Sequence, residues 1–203
     1  MLVERYKMIV MGTSAGGMQA LREVLSALPE PFPLPIAIVQ HIDGHSDGFL
    51  AEYLNRESTL TVKEAEDKEP LQAGCAYLAP PGYHLLIETD FTLSLSADAR
   101  VNYSCPSIDV LFESASDAFE EALIGVVLTG GNADGSHGLK LIKSRGGLAI
   151  VQDPQTASCA AMPLAALKNV HADHVVQLRE IAPLLAMLAV SVCGVKDDPA
   201  AIS

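Results

Sequence analysis

Lys7-Met-Ile-Val-Met-Gly-Thr-Ser-Ala-Gly-Gly17 decides the fold. An apolar run without alternation reads as a strand buried on both faces, over Lys7–Met11. Two glycines then mark a tight turn, and an amphipathic pattern predicts a helix over Met18–Leu28, closed by Pro29. A strand that runs through such a turn into a helix is the opening unit of a parallel α/β sheet. It also leaves the Ser14 hydroxyl at the mouth of the turn, beside the backbone N–H groups of a new helix.

The same unit recurs outward. Glu30-Pro-Phe-Pro-Leu-Pro35 is a stiff, extended linker. Ile36–Gln40 reads as a second buried strand, followed by a helix from about Gly48 to Asn55. Ser107–Phe119 has helical periodicity, with Ser107 as its N-cap. Ile124–Leu128 is a strand, and Ser136 opens a helix that Gly146-Gly147 ends. Leu148–Gln152, Ala160–Asn169, Val175–Leu178 and Glu180–Cys193 continue as strand, helix, strand and helix.

Between them, residues 59–95 carry short β-like runs at Leu60–Lys63, Ala76–Leu78, His84–Glu88 and Phe91–Leu95, broken by turn residues. These read as antiparallel hairpins inserted at one side of the sheet. The expectation is one α/β domain over residues 1–195: a doubly wound, mostly parallel sheet with helices on both faces and that hairpin insertion. Residues 196–203 read as a polar tail.

Composition excludes several functions. The chain has 203 residues and a net charge of −12, without a dense Lys/Arg run. A nucleic-acid binder would need such a run to neutralise phosphates, and so would adhesion to anionic membranes. The absence of a long apolar stretch or a signal-peptide pattern points away from membrane insertion and towards the cytoplasm. Cys75, Cys105, Cys159 and Cys193 form no Cys-x-x-Cys pair, so they read as reduced thiols in or near the core.

In an open α/β sheet, ligands collect beyond the carboxyl ends of the strands. Three residues fall there: Ser14 after the first strand, His41 after the second, and Asp134 in Thr129-Gly-Gly-Asn-Ala-Asp-Gly135. A serine hydroxyl becomes a nucleophile when an imidazole takes its proton, and a carboxylate on the far ring nitrogen fixes the tautomer. Taken singly, each residue has a plainer role: Ser14 as a helix cap, His41 as a strand-end hydrogen-bonder, Asp134 as a turn residue. His84, His137, His171 and His174 lack such a partner set and read as surface or structural. Two other sites compete. His41, Asp43, His45 and Asp47 alternate as metal ligands might, and Gly12–Gly17 resembles a phosphate loop without the P-loop lysine. Neither is specific, and we expect no metal and no cofactor.

With those residues in place, the chain resembles the catalytic domain of CheB-type chemotaxis protein-glutamate methylesterases, over about Lys7 to Leu188. The family's Gly-Ala-Ser-Thr-Gly-Gly stands here as Gly12-Thr-Ser-Ala-Gly-Gly17, its Gln-His as Gln40-His41, and its Thr-Gly-Met-Gly-x-Asp-Gly as Thr129–Gly135. Lys63–Asp67, Ala76–Pro80, Pro106–Phe112, Gly146-Gly147, Gln152-Asp153 and Met162-Pro163 agree as well.

The resemblance implies a serine hydrolase with Ser14 as nucleophile, His41 as base and Asp134 as orienting carboxylate. It would release methanol from glutamate γ-methyl esters on the cytoplasmic part of methyl-accepting chemoreceptors, with receptor glutamine deamidation as a related activity and other chemosensory proteins as further partners. A catalytically silent receptor-binding scaffold of the same fold is the alternative. The family is commonly built with a receiver domain, for which the residues before the first strand leave no room. Four departures stand out: Ala15 for the usual Thr, Gly131 for Met, Tyr103-Ser-Cys105 in place of basic residues, and Leu164 for Arg. Fewer cations at the cleft imply an altered receptor preference.

Overall fold

The computed structural model describes residues 5–41 and 48–190. Among the described residues the elements run β1 (Met8–Thr13), α1 (Gly17–Ser26), β2 (Ile36–Gln40), α2 (Phe49–Glu57), β3 (Thr61–Glu64), β4 (Cys75–Leu78), β5 (His84–Ile87), β6 (Leu93–Ser96), α3 (Ile108–Phe119), β7 (Leu123–Val127), α4 (Ser136–Ser144), β8 (Leu148–Gln152), α5 (Ala161–Asn169), β9 (His174–Val176) and α6 (Leu178–Ala189). Seven strands form one sheet in the order β3-β4-β2-β1-β7-β8-β9, parallel at every pairing. No helix among the described residues is long and apolar enough to cross a membrane.

The apolar runs are continuous because each strand is covered twice. Along β1, Ile9 and Met11 enter a core built with α1, α2 and α6, whereas Met8 and Val10 enter a second core with α3, α4, α5 and the β5–β6 hairpin. Alternate side chains leave a strand on opposite faces, so both sets must be apolar in a double-sided sheet.

The segment at residues 59–95 differs in part from expectation. A hairpin insertion is present, but it is β5 and β6 alone, paired antiparallel from His84↔Ser96 to Ile87↔Leu93. β3 and β4 instead extend the main sheet in parallel, β4 pairing with both β2 and β3. The physical sign lay in Cys75-Ala-Tyr-Leu78, where every residue is buried, the mark of an internal strand rather than a half-exposed hairpin.

The sheet order places the site. From β1 the chain winds outward through β2 to the β3 edge, then returns to pair β7 on β1's other side. The order reverses between β1 and β7, and ligand crevices open at such a switch. There α3 enters at very close range. A Cβ on Gly12 would lie 2.2 Å from Ile108 Cγ2, and one on Gly135 would lie 2.6 Å from the same atom. These two glycines let the first turn of α3 sit against both β1 and the loop after β7.

Gly12→Ala is therefore expected to lose about 1–3 kcal/mol of stability through overpacking. In urea unfolding, the Gly12→Ala/Ile108→Ala double variant should fall short of the sum of the two single losses. Additive losses would contradict this account of the contact.

Candidate functional site

Asp134 organises the rim. It follows β7 in the loop that leads into α4, and it is 2% exposed. Its Oδ1 accepts hydrogen bonds from Ser107 Oγ at 2.9 Å, Asp109 N at 3.1 Å and Gly135 N at 3.1 Å. Its Oδ2 accepts from Ile108 N at 2.8 Å and from His41 Nε2 at 2.8 Å. Ile108 and Asp109 open α3, so the carboxylate caps that helix at its positive end.

Ser107 holds the N-cap position, as expected from sequence. Its side chain makes no cap bond within the helix; it turns to the carboxylate instead, and Asp134 does the capping.

Burial is the strongest influence on the Asp134 carboxyl and opposes its charge. The bond from His41 and the N–H groups of Ile108 and Asp109 together outweigh it, and hold the group below the usual carboxylate range. Asp109, whose backbone N–H donates to Asp134, behaves oppositely. Burial pushes it up, the N–H of Gly138 offsets part of that at 2.7 Å, and the charge of Asp134 adds to the rise.

His41 follows β2, and its backbone N–H donates to Thr13 O at 3.0 Å. With Nε2–H given to Asp134, Nδ1 is the nitrogen left to act as a base. The Asn132 side-chain nitrogen lies 3.5 Å from it.

Ser14 directly follows β1. Its backbone N–H donates to Thr129 O at 2.9 Å, and its carbonyl accepts from Gly17 N at 2.8 Å. The turn that follows bends through Gly16 at φ +81°, a conformation that favours glycine. Among the described residues, no hydrogen bond joins the side chains of Ser14 and His41. Their link is Gln40, whose amide Nε2 donates to Ser14 O at 2.9 Å and to His41 O at 2.8 Å.

The three sequence candidates thus lie around the β2-β1-β7 carboxyl ends, and His41 and Asp134 are in direct contact. Asp43, His45 and Asp47, the other members of the metal candidate, lie outside the described residues, as do Cys193 and the 196–203 tail. Among the described residues, no group of His, Cys, Asp and Glu could hold a metal ion. Cys75, Cys105 and Cys159 are free thiols.

Sequence reasoning missed Ser107's bond to Asp134 and the bridging amide of Gln40. It grouped His84 with the surface or structural histidines. His84 is structural and 1% exposed: its Nδ1 accepts from Ser107 N at 3.2 Å, and its Nε2 lies 3.2 Å from Ala99 O. A buried polar residue beside an unexplained helix start was the available signal.

Linkage gives the two aspartates opposite signs. Asp134, held low, contributes stability above its unfolded pKa that is lost as pH falls through its folded one; Asp109, held high, opposes folding once ionised. Asp109→Asn should match or exceed wild-type thermal stability at neutral pH, with the gap closing as pH falls into the carboxylate range. Asp134→Asn turns a donor towards other donors, and should cost more than about 2 kcal/mol in denaturant titration. Equal losses at neutral pH from the two substitutions would contradict this assignment.

Comparison with known proteins shows the family. Residues 9–185 match the family described as CheB methylesterase. A relative from Leptospira interrogans, provisionally named protein-glutamate methylesterase/protein-glutamine glutaminase, is 52% identical over 90% of this chain and 95% of its own length. One from Maricaulis maris, named protein-glutamate methylesterase/protein-glutamine glutaminase, is 37% identical over 88% of this chain but 45% of its own length. The crystal structure of the Thermotoga maritima CheB methylesterase catalytic domain superposes with a TM-score of 0.86 at 33% identity, covering 90% of this chain and 98% of that one.

Proposed function

The chain belongs to the CheB methylesterase family, and on that premise we propose that it hydrolyses glutamate γ-methyl esters of chemoreceptors with Ser14 as nucleophile, His41 as base and Asp134 as the carboxylate that orients it. The observation that carries the reading is the 2.8 Å contact of His41 Nε2 with a buried carboxylate. It leaves Nδ1 unprotonated on the rim that Ser14 shares.

Ser14 Oγ attacks the ester carbonyl as its proton passes to His41 Nδ1. The tetrahedral intermediate collapses, and the same proton leaves with methanol. Water, deprotonated at Nδ1, then cleaves the acyl-enzyme to give the glutamate side chain and free Ser14. Asp134 stabilises the imidazolium in both halves without taking the proton. Receptor glutamine passes through an equivalent intermediate with ammonia as the leaving group, so deamidation belongs to the same proposal.

Bonds already made restrict the oxyanion donors. Gly130 N is committed to Cys159 O, Ser14 N to Thr129 O and Gly17 N to Ser14 O. Among the described residues, the N–H groups of Ala15, Gly16, Gly131, Asn132 and Ala133 donate to no such acceptor; of these we assign the oxyanion to Ala15 N, which directly follows the nucleophile, and Gly131 N. Both are positions where the side chain is smaller than the family's usual one. A backbone donor is indifferent to that change, so the departures at 15 and 131 lend no weight to a silent scaffold.

The substrate lies on the cytoplasmic part of the receptor in this reading, and the catalytic domain is residues 1–195. Tyr103, 94% exposed, and Leu164, 54% exposed, replace cations that would draw in an acidic segment.

Wild type should release methanol from methylated receptor, whereas Ser14→Ala, folded by circular dichroism, should lose turnover by at least about a thousandfold. Equal release by both proteins would remove Ser14 from the mechanism. The receptor kcat/KM should vary by less than about twofold across a tenfold range of ionic strength, and Leu164→Arg should steepen that dependence. A steep salt dependence in wild type would contradict a cleft poor in cations.

A further inference from the structure

Gln40 ends β2 and is 8% exposed. The ladder between β1 and β2 stops at the Thr13↔Gln40 pair and the His41 N to Thr13 O bond. Beyond that point β1 turns into α1, while β2 runs into the loop that carries His41. The next rung is supplied by a side chain. The two hydrogens of one amide nitrogen reach Ser14 O at 2.9 Å and His41 O at 2.8 Å. Nucleophile and base are therefore held by the same atom.

The other end of the amide shows that this orientation is imposed. Gln40 Oε1 is buried and, among the described residues, has no hydrogen-bond partner. Rotating the amide would set that oxygen against two carbonyl oxygens, so the oxygen is left in a recess over Gly17. A Cβ at position 17 would lie 1.8 Å from Oε1 and 2.6 Å from Thr13 Oγ1. Glycine at 17 is what makes room for the amide.

We propose that Gln40 is a positioning residue of the hydrolase, fixing the separation of Ser14 and His41 through their two carbonyls, with Gly17 as the recess that keeps its amide turned towards them. The proposal rests on the serine-hydrolase reading above. Gln40 touches neither substrate nor the reacting atoms; it acts through the two residues that do. A shift of the nucleophile against the base by a fraction of its working distance lowers the rate of the chemical step while leaving substrate binding in place.

The test uses the full chain with Gln40→Met, which keeps the volume without the donors, Gln40→Glu, which keeps the shape but presents acceptors, and Gly17→Ala. Two readouts are taken per folded molecule: methanol release from methylated receptor, and the rate at which a fluorophosphonate labels the protein by intact mass. Each Gln40 variant should lower kcat by about 10- to 100-fold with KM within about twofold, and should slow labelling in parallel.

Gly17→Ala leaves both donors in place but displaces the amide, and should give the same split. The Gln40→Met/Gly17→Ala double variant should be no slower than the worse single variant. If Gly17→Ala does not fold, the two Gln40 variants decide the matter alone. Wild-type kcat and labelling in folded Gln40 variants, with only thermal stability reduced, would overturn the positioning role and leave the hydrolase reading intact. A wild type that neither releases methanol nor is labelled would overturn both.

Discussion

A buried carboxylate that closes the start of a helix is the contact on which the site depends. Asp134 accepts two backbone N–H groups of α3, the Ser107 hydroxyl, its own neighbour's N–H and the His41 imidazole. Desolvation alone would drive such a group towards its neutral form. The helix terminus reverses that, because its N–H groups have no partner inside the helix and point where the negative charge lies. The same bonds fix the direction of the carboxylate, and through Oδ2 the tautomer of His41. The start of α3 and the proposed base are thus held by one carboxylate.

The fold brings these pieces together through small residues at close approaches. Gly12 and Gly135 admit Ile108, which sets the first turn of α3 against β1 and the Asp134 loop. Gly17 admits the Gln40 amide. Around them the parallel sheet reverses its winding between β1 and β7, so residues far apart in sequence meet at neighbouring strand ends. Family membership covers the same body: the likeness to the Thermotoga maritima CheB catalytic domain covers 90% of the chain, and residues 9–185 match the family.

Much of this was legible beforehand. Ile36–Gln40 and Leu148–Gln152 emerge with the expected bounds, because a strand buried on both faces leaves an unbroken apolar run between polar ends. Ser14, His41 and Asp134 were readable as strand-end residues for the same reason. Where short runs alternated with turns, at residues 59–95, local pattern did not distinguish a parallel edge from a hairpin. Pairing direction is decided by what lies on the far side of a crossover, and a short segment holds no record of it. The supports of the site were hidden for a related reason. The bonds Ser107 makes to Asp134, and Gln40 to Ser14, span 27 and 26 residues, and neither residue type announces a long-range partner.

The account turns on one proton. Asp134 accepts the Nε2–H hydrogen bond of His41, and in the proposed mechanism that leaves Nδ1 bare for Ser14. Nitrogen-15 NMR of the imidazole in its neutral form, in wild type and in Asp134→Asn, reads that directly. The geometry predicts a protonated Nε2 and an unprotonated Nδ1 in wild type, with the preference lost in the variant. A wild-type His41 protonated at Nδ1, or a tautomer indifferent to Asp134→Asn, would contradict it.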